Sequence, residues 1–342
     1  MKNRTFLAFV APSVLMMLLF MAFPLASVLV QSFYVTREVF EQVKIETCSP
    51  GFIAQTCVEE MKTRAVLGLN GLPVTQTTFA GWDVYKNLLK PEAVSAAFAP
   101  GGGGFGDVLK VDFYRALRFT LTFTFVTLPL MLVMALALAL AVNATLKSLR
   151  GGIIFISLLP FVVTPVIGAL AVRWLFVGDG ILTAGLQGLL GHKISIFAEG
   201  WSIELLMLFY GVLHVTPFAF VIFYAALQTL NQDTLESAIV DGASRTERLR
   251  YVILPHLMPL IVFVSLIHLM DSYRVFEEVI GFSSEAHRIS LQWLTYNFLV
   301  PDNSGNRAIS SASASSMLTM IGIVILLVPL LLHTWRDHRR AG

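Results

Sequence analysis

Six long apolar stretches constrain the fold of this chain more than any other feature of its sequence. A hydrocarbon core about 30 Å thick needs roughly 20 apolar helical residues to cross it. Only 13% of the residues are charged, against about 25% in a soluble domain. The sequence therefore predicts an all-α membrane protein with about six transmembrane helices. The candidate spans lie near residues 7–33, 113–142, 152–177, 203–228, 258–281 and 314–333.

Two of these stretches need comment. The first follows Lys2 and Arg4 and could be mistaken for a signal peptide, but its apolar run is longer than the usual 7–15 residues. We therefore expect an uncleaved N-terminal transmembrane helix over residues 1–34. The third contains Pro160 and Pro165, which predicts a kink where neighbouring groups satisfy the freed carbonyls.

Basic residues near the span ends predict the orientation, because cytoplasmic loops carry an excess of Lys and Arg. The two chain ends, the connection between spans two and three and the connection between spans four and five carry more Lys and Arg than the other short connections. Both termini and the 230–259 segment are therefore predicted to be cytoplasmic. The richer group comprises Lys2, Arg4, Lys147, Arg150, Arg245, Arg248, Arg250, Arg336, Arg339 and Arg340, and the poorer one Lys193, Arg288 and Arg307.

The loop over 35–112 is the one sizeable region predicted outside the membrane. Its stretch LNGLPVTQTTFAGWDVYKNLL predicts a turn, a short extended piece and a short amphipathic helix. PGGGG at 100–104 is interpreted as a flexible joint, not a phosphate loop. The loop could be a small outer cap or a passive connector, and the residues leave both open.

The two cysteines of the chain, Cys48 and Cys57, both lie in this loop. On the predicted topology they face an oxidising compartment, and Pro50 and Gly51 allow a turn between them, which favours a disulfide. A metal site is less favoured, because two thiols without a nearby His do not make a four-ligand zinc site.

The sequence lacks the motifs of several common enzyme and nucleotide-binding sites. There is no Gly-Lys dipeptide and so no phosphate-binding loop, and neither H-E-x-x-H nor G-x-S-x-G occurs. A net charge of +2 is too small to imply nucleic acid as a partner. The chain is interpreted as a translocator or channel subunit that holds no cofactor or metal and has no ATPase site of its own.

The polar segment near 230–260 separates two apolar spans. A short polar side chain between Asn231 and Thr234 can cap a helix, on which Leu235, Ala238 and Ile239 share a face. Gly242 allows a sharp bend, and a second helix is predicted from about Ser244 to Pro255. The pattern alone leaves open a solvated loop whose charges only follow the positive-inside rule.

This segment resembles the EAA loop of binding-protein-dependent ABC importer permeases. It has Glu236-Ser237-Ala238, Asp241-Gly242-Ala243, Ile253-Leu254-Pro255 and Pro259 at similar spacing, with Ser237 where Ala is usual. FVIFYAALQTLNQDTLESA, DSYRVFEEVIGF and SSASASSML extend the likeness over about 113–335, towards the sugar-importer branch related to the maltose permease. GFSSEAHRIS departs from the Gly-Gly-Pro-rich turn that often follows the fifth span.

The resemblance implies an ABC type I importer transmembrane fold in a bacterial inner membrane, with a permease domain over 113–335. The 230–259 loop would dock in a cytoplasmic ATP-binding subunit and transmit its movements. Implied partners are a second permease subunit, two ATP-binding subunits that bind ATP and Mg, and an extracytoplasmic solute-binding protein. The implied coupling residues are Glu236, Ser237, Ala238, Asp241, Gly242 and Ala243.

Polar residues within the spans are candidates for the solute path, because such groups are costly in a membrane. Tyr210 and His214 are four apart and share a helix face. His268 and Asp271 are expected to share another face with Ser272, and Arg274 could pair with Asp271, Glu277 or Glu278. The alternative is that all of them serve helix packing.

Two further classes of protein are less favoured. A stand-alone secondary transporter or channel would need an ion or proton relay and often an inverted repeat, and the two halves of the sequence show no clear repeat. A membrane enzyme would need a catalytic motif. The sequence does not name the solute: a disaccharide, a polyol, a modified sugar and glycerol 3-phosphate all remain open.

Overall fold

The structure, a computed structural model, describes residues 3–50, 55–68, 73–178, 180–191, 195–302 and 306–341. Helices dominate it, with two short pairs of strands outside the apolar helices. The strands are β1 (Tyr34–Glu38), β2 (Phe40–Pro50), β3 (Gln55–Ala65) and β4 (Thr75–Phe79). The helices are α1 (Asn3–Met17), α2 (Phe23–Gln31), α3 (Asp83–Leu89), α4 (Pro91–Ala97), α5 (Phe105–Val108), α6 (Asp112–Ala144), α7 (Lys147–Val162), α8 (Pro165–Phe176), α9 (Ile181–Leu190), α10 (Gly200–Gln228), α11 (Gln232–Val240), α12 (Arg245–Arg248), α13 (Leu254–Ser272), α14 (Glu277–Phe282), α15 (Leu291–Leu299) and α16 (Ile309–Ala341).

The chain forms two compact units. The first consists of Met1–Glu92 with Thr295–Leu318, and the second of Ala93–Leu294 with Thr319–Gly342. The first holds the N-terminal helices and all four strands. The second holds residues 230–259, called the coupling loop after their predicted role, and the polar residues predicted for the solute path.

Five helices among the described residues are long and apolar enough to cross a membrane, and a sixth span is formed if one bent helix pair is counted. This confirms the predicted number of about six. The five are Phe9–Gln31, Asp112–Ala144, Gly200–Gln228, Arg245–Ser272 and Ile309–Leu332.

The third predicted span is broken rather than merely kinked. Its halves, α7 and α8, meet at an angle of 95°. Thr164 has extended backbone angles there, as expected for a residue that precedes proline. Pro165 then begins α8, where its missing N–H costs nothing.

The fifth span starts and ends earlier than predicted. A continuous helix runs from Arg245 to Ser272, so the predicted end of a separate loop helix at Pro255 is wrong, and so is the predicted span end at 281. A π-helical turn over Leu249–Ile253 joins α12 to α13. This wider turn lets the helix continue past Pro255, which lies in the first turn of α13.

The described part of the predicted extracytoplasmic loop contains three strands, β1 to β3, that the sequence did not indicate. β1 pairs antiparallel with β4, and β2 pairs antiparallel with β3. The predicted short extended piece and amphipathic helix are confirmed as β4 and α3. The turn predicted before them falls partly on 69–72, outside the described residues.

The glycine-rich stretch at 100–104, predicted to be a flexible joint, forms a hydrogen-bonded turn in the structure. Gly101 and Gly104 have positive φ angles of 94° and 61°, which glycine adopts readily. The Gly103 N–H donates to Asp107 Oδ2 at 2.7 Å. The Lys110 ammonium, 2.7 Å from that carboxylate, and then the Gly103 N–H hold the pKa of Asp107 below its usual value.

Two apolar clusters form the core of the second unit. One joins α6, α10 and α13 through residues such as Met131, Phe220 and Leu257. The other includes Phe119 and Phe282 and joins α6, α8, α10 and α14. The coupling loop lies between two helices of the first cluster, α10 and α13.

Candidate functional site

The first helix of the coupling loop has a defined start and end. The side chain of Asn231 caps α11 by accepting a hydrogen bond from the Asp233 N–H at 2.9 Å, as predicted. Gly242 has a φ of 78°, and its N–H donates to the Ile239 carbonyl. The Ala243 N–H donates to the Ala238 carbonyl. This is the Schellman pattern that ends helices at a left-handed glycine.

A second cap begins the helix that returns to the apolar core. Ser244 and Glu247 form a capping box: the Ser244 N–H donates to Glu247 Oε2 at 2.7 Å, and the Glu247 N–H donates to Ser244 Oγ at 3.3 Å. Since this helix continues to Ser272, the bend at Gly242 is followed directly by a transmembrane helix. A displacement of α11 would therefore act on that helix with little intervening chain.

α11 contains no buried residue. Glu236, Ser237, Asp241 and Gly242 are exposed, and Ala238 and Ala243 are half-buried. Exposed apolar side chains lie beside them, with Ile239 at 53% and Val240 at 87% exposure. Sequence reasoning placed Ile239 on the apolar face of this helix but missed Val240. The coupling role of all these residues remains a prediction.

Hydrogen bonds hold the base of the loop on three core helices. Gln228 at the end of α10 donates to Asn143 Oδ1 of α6 at 3.1 Å. The His256 ring of α13 lies 3.2 Å from the Ala226 carbonyl and 3.3 Å from Thr229 Oγ1. These contacts connect the loop to the packed helices of the second unit.

Tyr210 and His214 lie side by side on α10, as predicted from their spacing. Their rings are stacked with centroids 5.6 Å apart. The Tyr210 hydroxyl donates to the Pro165 carbonyl at 2.8 Å, and the His214 ring lies 6.2 Å from the ring of Phe161 in α7. The two side chains therefore contact the two sides of the break between α7 and α8.

The residues predicted on the fifth span divide into two groups. His268 is 3% exposed and lies 2.9 Å from Thr127 Oγ1 of α6, and Ser272 is also buried. Asp271 and Arg274 are exposed. Asp271 lies in the same helix as His268 and Ser272, at the exposed edge of the face that these two buried residues share.

Among the described residues no ion pair joins Arg274 to Asp271, Glu277 or Glu278. The helix ends at Ser272 and the chain turns, with the Arg274 N–H donating to the Asp271 carbonyl. The side chains therefore leave the helical register that the pairing assumed. Glu278 is instead buried on α14.

Sequence reasoning missed a buried charge network in the second unit. Glu204 Oε2 on α10 accepts hydrogen bonds from Arg118 of α6 at 3.0 Å and from Arg288 after α14. Glu204 is 8% exposed. The sequence did contain a signal, because Glu204 is the one acidic residue in the span predicted over 203–228.

Comparison with known proteins identifies the kind of membrane protein that carries this loop. Residues 99–341 match the family described as binding-protein-dependent transport system inner membrane component. The chain belongs to this family. As a binding-protein-dependent transport permease it is a multi-pass component of the inner membrane, and the resemblance inferred from the EAA-like loop is confirmed.

Several known permeases are similar to this one. The sn-glycerol-3-phosphate transport system permease protein UgpA of Shigella flexneri is 25% identical over 51% of this chain and 59% of its own length. The trehalose/maltose transport system permease protein MalF of Thermococcus litoralis is 28% identical over 53% of this chain and 60% of its own. A probable ABC transporter permease of Sinorhizobium fredii, y4oQ, is 26% identical over 70% and 76%, respectively.

The fold of this permease also occurs in a solved structure. A chain of a bacterial ABC transporter involved in the import of the acidic polysaccharide alginate superposes with a TM-score of 0.58. The identity is 22%, and the match covers 75% of this permease and 96% of that chain. The predicted ABC importer transmembrane fold is thereby confirmed.

Proposed function

We propose that this chain is a permease subunit of an ATP-driven importer and forms part of the path for a sugar or a related polar solute. The capped helix α11, ended by Gly242 and joined directly to the helix over Arg245–Ser272, carries the proposal. A short rigid helix with exposed apolar side chains suits a groove in a partner protein. Its attachment to a transmembrane helix gives the partner a means of moving the membrane domain.

The proposed partners follow from this arrangement and from the family. Two cytoplasmic ATP-binding subunits would bind ATP and Mg and perform the hydrolysis, and one of them would receive α11. A second permease subunit would complete the path, and an extracytoplasmic protein would deliver the solute. The chain itself would contribute no catalytic residue and no cofactor, and both its termini would be cytoplasmic.

The solute class rests on the relatives. Two of them are named for glycerol 3-phosphate and for trehalose and maltose, all of which are small hydroxylated solutes. Tyr210 and His214 are proposed to shape the path by holding the broken span. Asp271 and Arg274 are exposed on the same unit and are the proposed polar contacts for solute, with His268 behind them as a packing residue.

Substitutions at Gly242 test the coupling. Gly242→Pro requires a φ near −65° where the native angle is 78°, and it removes the N–H that bonds to Ile239. We expect the reconstituted importer with this substitution to keep ATPase activity and to lose most ATP-driven uptake. The assay measures both activities in proteoliposomes containing all partner subunits, with sugars and glycerol 3-phosphate as solutes.

Gly242→Asn is the matched control, because Asn tolerates the left-handed conformation and retains the N–H. This variant is expected to transport nearly as well as the unmodified chain. Full coupled uptake by the proline variant would refute the role assigned to the loop.

A further inference from the structure

The first unit contains an open cavity of about 900 Å³ that includes none of the residues proposed for the solute path. Strands β1 and β4 and helix α3 form one side of it, and the end of α15 with residues 306–311 forms the other. This volume lies near the upper end of the 300–1,000 Å³ typical of small-molecule sites. On the predicted topology the cavity faces the extracytoplasmic side, because β1 follows the first span and residue 309 begins the last.

Hydrogen bonds fix the walls of the cavity. The ladder between β1 and β4 pairs five residues on each strand, from Tyr34↔Phe79 to Glu38↔Thr75. The Ser310 hydroxyl donates to the carbonyl of Tyr34 and so joins the start of α16 to β1. Near α3, the Tyr85 hydroxyl donates to Ser32 Oγ at 2.8 Å. A site held in this way loses little conformational entropy when a ligand binds.

Hydrogen bonds also shape the opposite wall. The Asp302 N–H donates to the Asn306 carbonyl at 2.9 Å, and the Asn306 N–H donates to Asp302 Oδ1 at 2.9 Å. The Ala308 N–H donates to the Phe298 carbonyl at 2.9 Å. These bonds hold the chain on both sides of 303–305 against the end of α15.

The lining of the cavity is rich in neutral polar groups. Four carboxamides contribute to it, from Gln76, Asn87, Asn297 and Asn306. Each carboxamide can both donate and accept hydrogen bonds, so together they suit a ligand with many hydroxyls. Phe298 adds an aromatic ring to the lining.

The formal charges of the lining cancel. Arg37 and Arg307 contribute two positive charges, and Asp83 and Asp302 contribute two negative ones. Asp83 also has an exposed ion pair with Lys86 at 3.1 Å. A balanced lining gives no net attraction to an anion such as a phosphate ester, and a neutral ligand is therefore favoured.

We propose that this cavity binds a neutral oligosaccharide of a few rings. The proposal rests on the proposed function in that it takes the imported solute, or a longer form of it, as the ligand. It requires residues of the first unit alone, whereas the polar residues assigned to the path belong to the second. The site would hold the sugar outside the membrane-spanning helices.

Direct binding to the intact complex tests the proposal. The complex with all its subunits, in lipid nanodiscs without binding protein or nucleotide, is mixed with maltotriose or cellotriose, and saturation-transfer NMR measures bound sugar. We expect a signal from at least one trisaccharide. The double substitution Gln76→Ala and Asn87→Ala should weaken binding by about tenfold or more, because each lost hydrogen bond is worth about 1 kcal/mol.

Thr75→Ala is the matched control. Thr75 lies next to Gln76 on β4 but does not line the cavity, since alternate residues of a strand face opposite sides, and its substitution should leave binding unchanged. Absence of trisaccharide binding to the unmodified complex would overturn the proposal. Binding that is unaffected by the double substitution would place the sugar elsewhere and would also overturn it.

Two additional measurements separate this proposal from its alternatives. If the double substitution weakens attachment of the solute-binding protein and no trisaccharide binds, the cavity is a protein-docking surface and the proposal fails. ATP-driven uptake is measured separately in proteoliposomes. If the unmodified complex binds trisaccharide in the cavity but imports no sugar, only the proposed function is refuted. If it imports sugar but binds no trisaccharide in the cavity, only the cavity proposal is refuted.

Discussion

At the scale of single residues, Tyr210 and His214 connect the fourth span to the broken third span. The Tyr210 hydroxyl donates to the Pro165 carbonyl at the start of α8, and the His214 ring lies near the Phe161 ring at the end of α7. Their four-residue spacing on α10 places one contact on each side of the break.

Tyr210 and Gly168 provide the residue-scale prediction. A Cβ at Gly168 would lie 2.2 Å from the Tyr210 hydroxyl and 3.1 Å from the ring carbon that bears it. Tyr210→Phe should destabilise the complex by about 1 to 2 kcal/mol through the lost bond to Pro165. Gly168→Ala should cost about 1 to 3 kcal/mol through overpacking. The double variant should cost clearly less than the sum, because the clashing hydroxyl is absent.

Melting of the purified complex measures all three variants, with Tyr224→Phe as a control on the same helix. Uptake per folded complex should stay near normal in Tyr210→Phe. Strictly additive losses would contradict the packing of Gly168 against Tyr210. A loss of uptake without any loss of stability would favour direct contact between Tyr210 and solute.

At the scale of elements, the sequence predicted the apolar helices well and the irregular elements poorly. Twenty apolar residues have few options other than a helix in a membrane, so most span positions were predictable. The continuation of a helix past Pro255 depends on the π-helical turn over Leu249–Ile253, which has no residue signature. β2 and β3 lack the alternation that marks a half-buried strand, and their pairing depends on contacts across the loop.

The candidate site was likewise predictable from the sequence only in part. Asn231 and Gly242 were found because capping and positive φ select particular residue types. The pairing of Arg274 was mispredicted because the helix ends at Ser272, and a helical face cannot be extrapolated through a turn. Arg118, Glu204 and Arg288 come from three distant parts of the sequence, and only the tertiary packing brings them together.

The pairing of β2 with β3 supports the predicted disulfide between the two cysteines. Its register places Cys48 directly opposite Cys57, where Cα atoms are about 4.5 to 5.5 Å apart in antiparallel pairs. This separation falls within the range of disulfides, so we expect the two thiols to be joined. A crosslink around so short a loop should stabilise the hairpin by about 2 to 3 kcal/mol.

Mass mapping of peptides under non-reducing conditions measures this pairing, with a reduced sample as the control. The two cysteine-containing peptides should appear linked, and reduction should separate them. Recovery of both as free thiols from membranes prepared without reductant would contradict the prediction.

At the scale of the whole molecule, the functional assignments all depend on which side of the membrane each segment occupies. α11 must be cytoplasmic to meet an ATP-binding subunit, and β2 and β3 must be outside for their cysteines to be oxidised. An odd number of spans separates these two segments if α7 and α8 together count as one. One orientation of the chain therefore satisfies both requirements, in agreement with the distribution of Lys and Arg.

Labelling of single cysteines tests this orientation. In a chain carrying Cys48→Ala and Cys57→Ala, Thr75→Cys and Thr246→Cys are introduced separately, both at exposed positions. A membrane-impermeant maleimide applied to intact spheroplasts should label the cysteine at 75, and should label the one at 246 only after the membrane is permeabilised. The reverse pattern would place α11 outside and the strands inside. It would therefore refute the coupling role of the loop and the disulfide together, because neither function is possible in the opposite compartment.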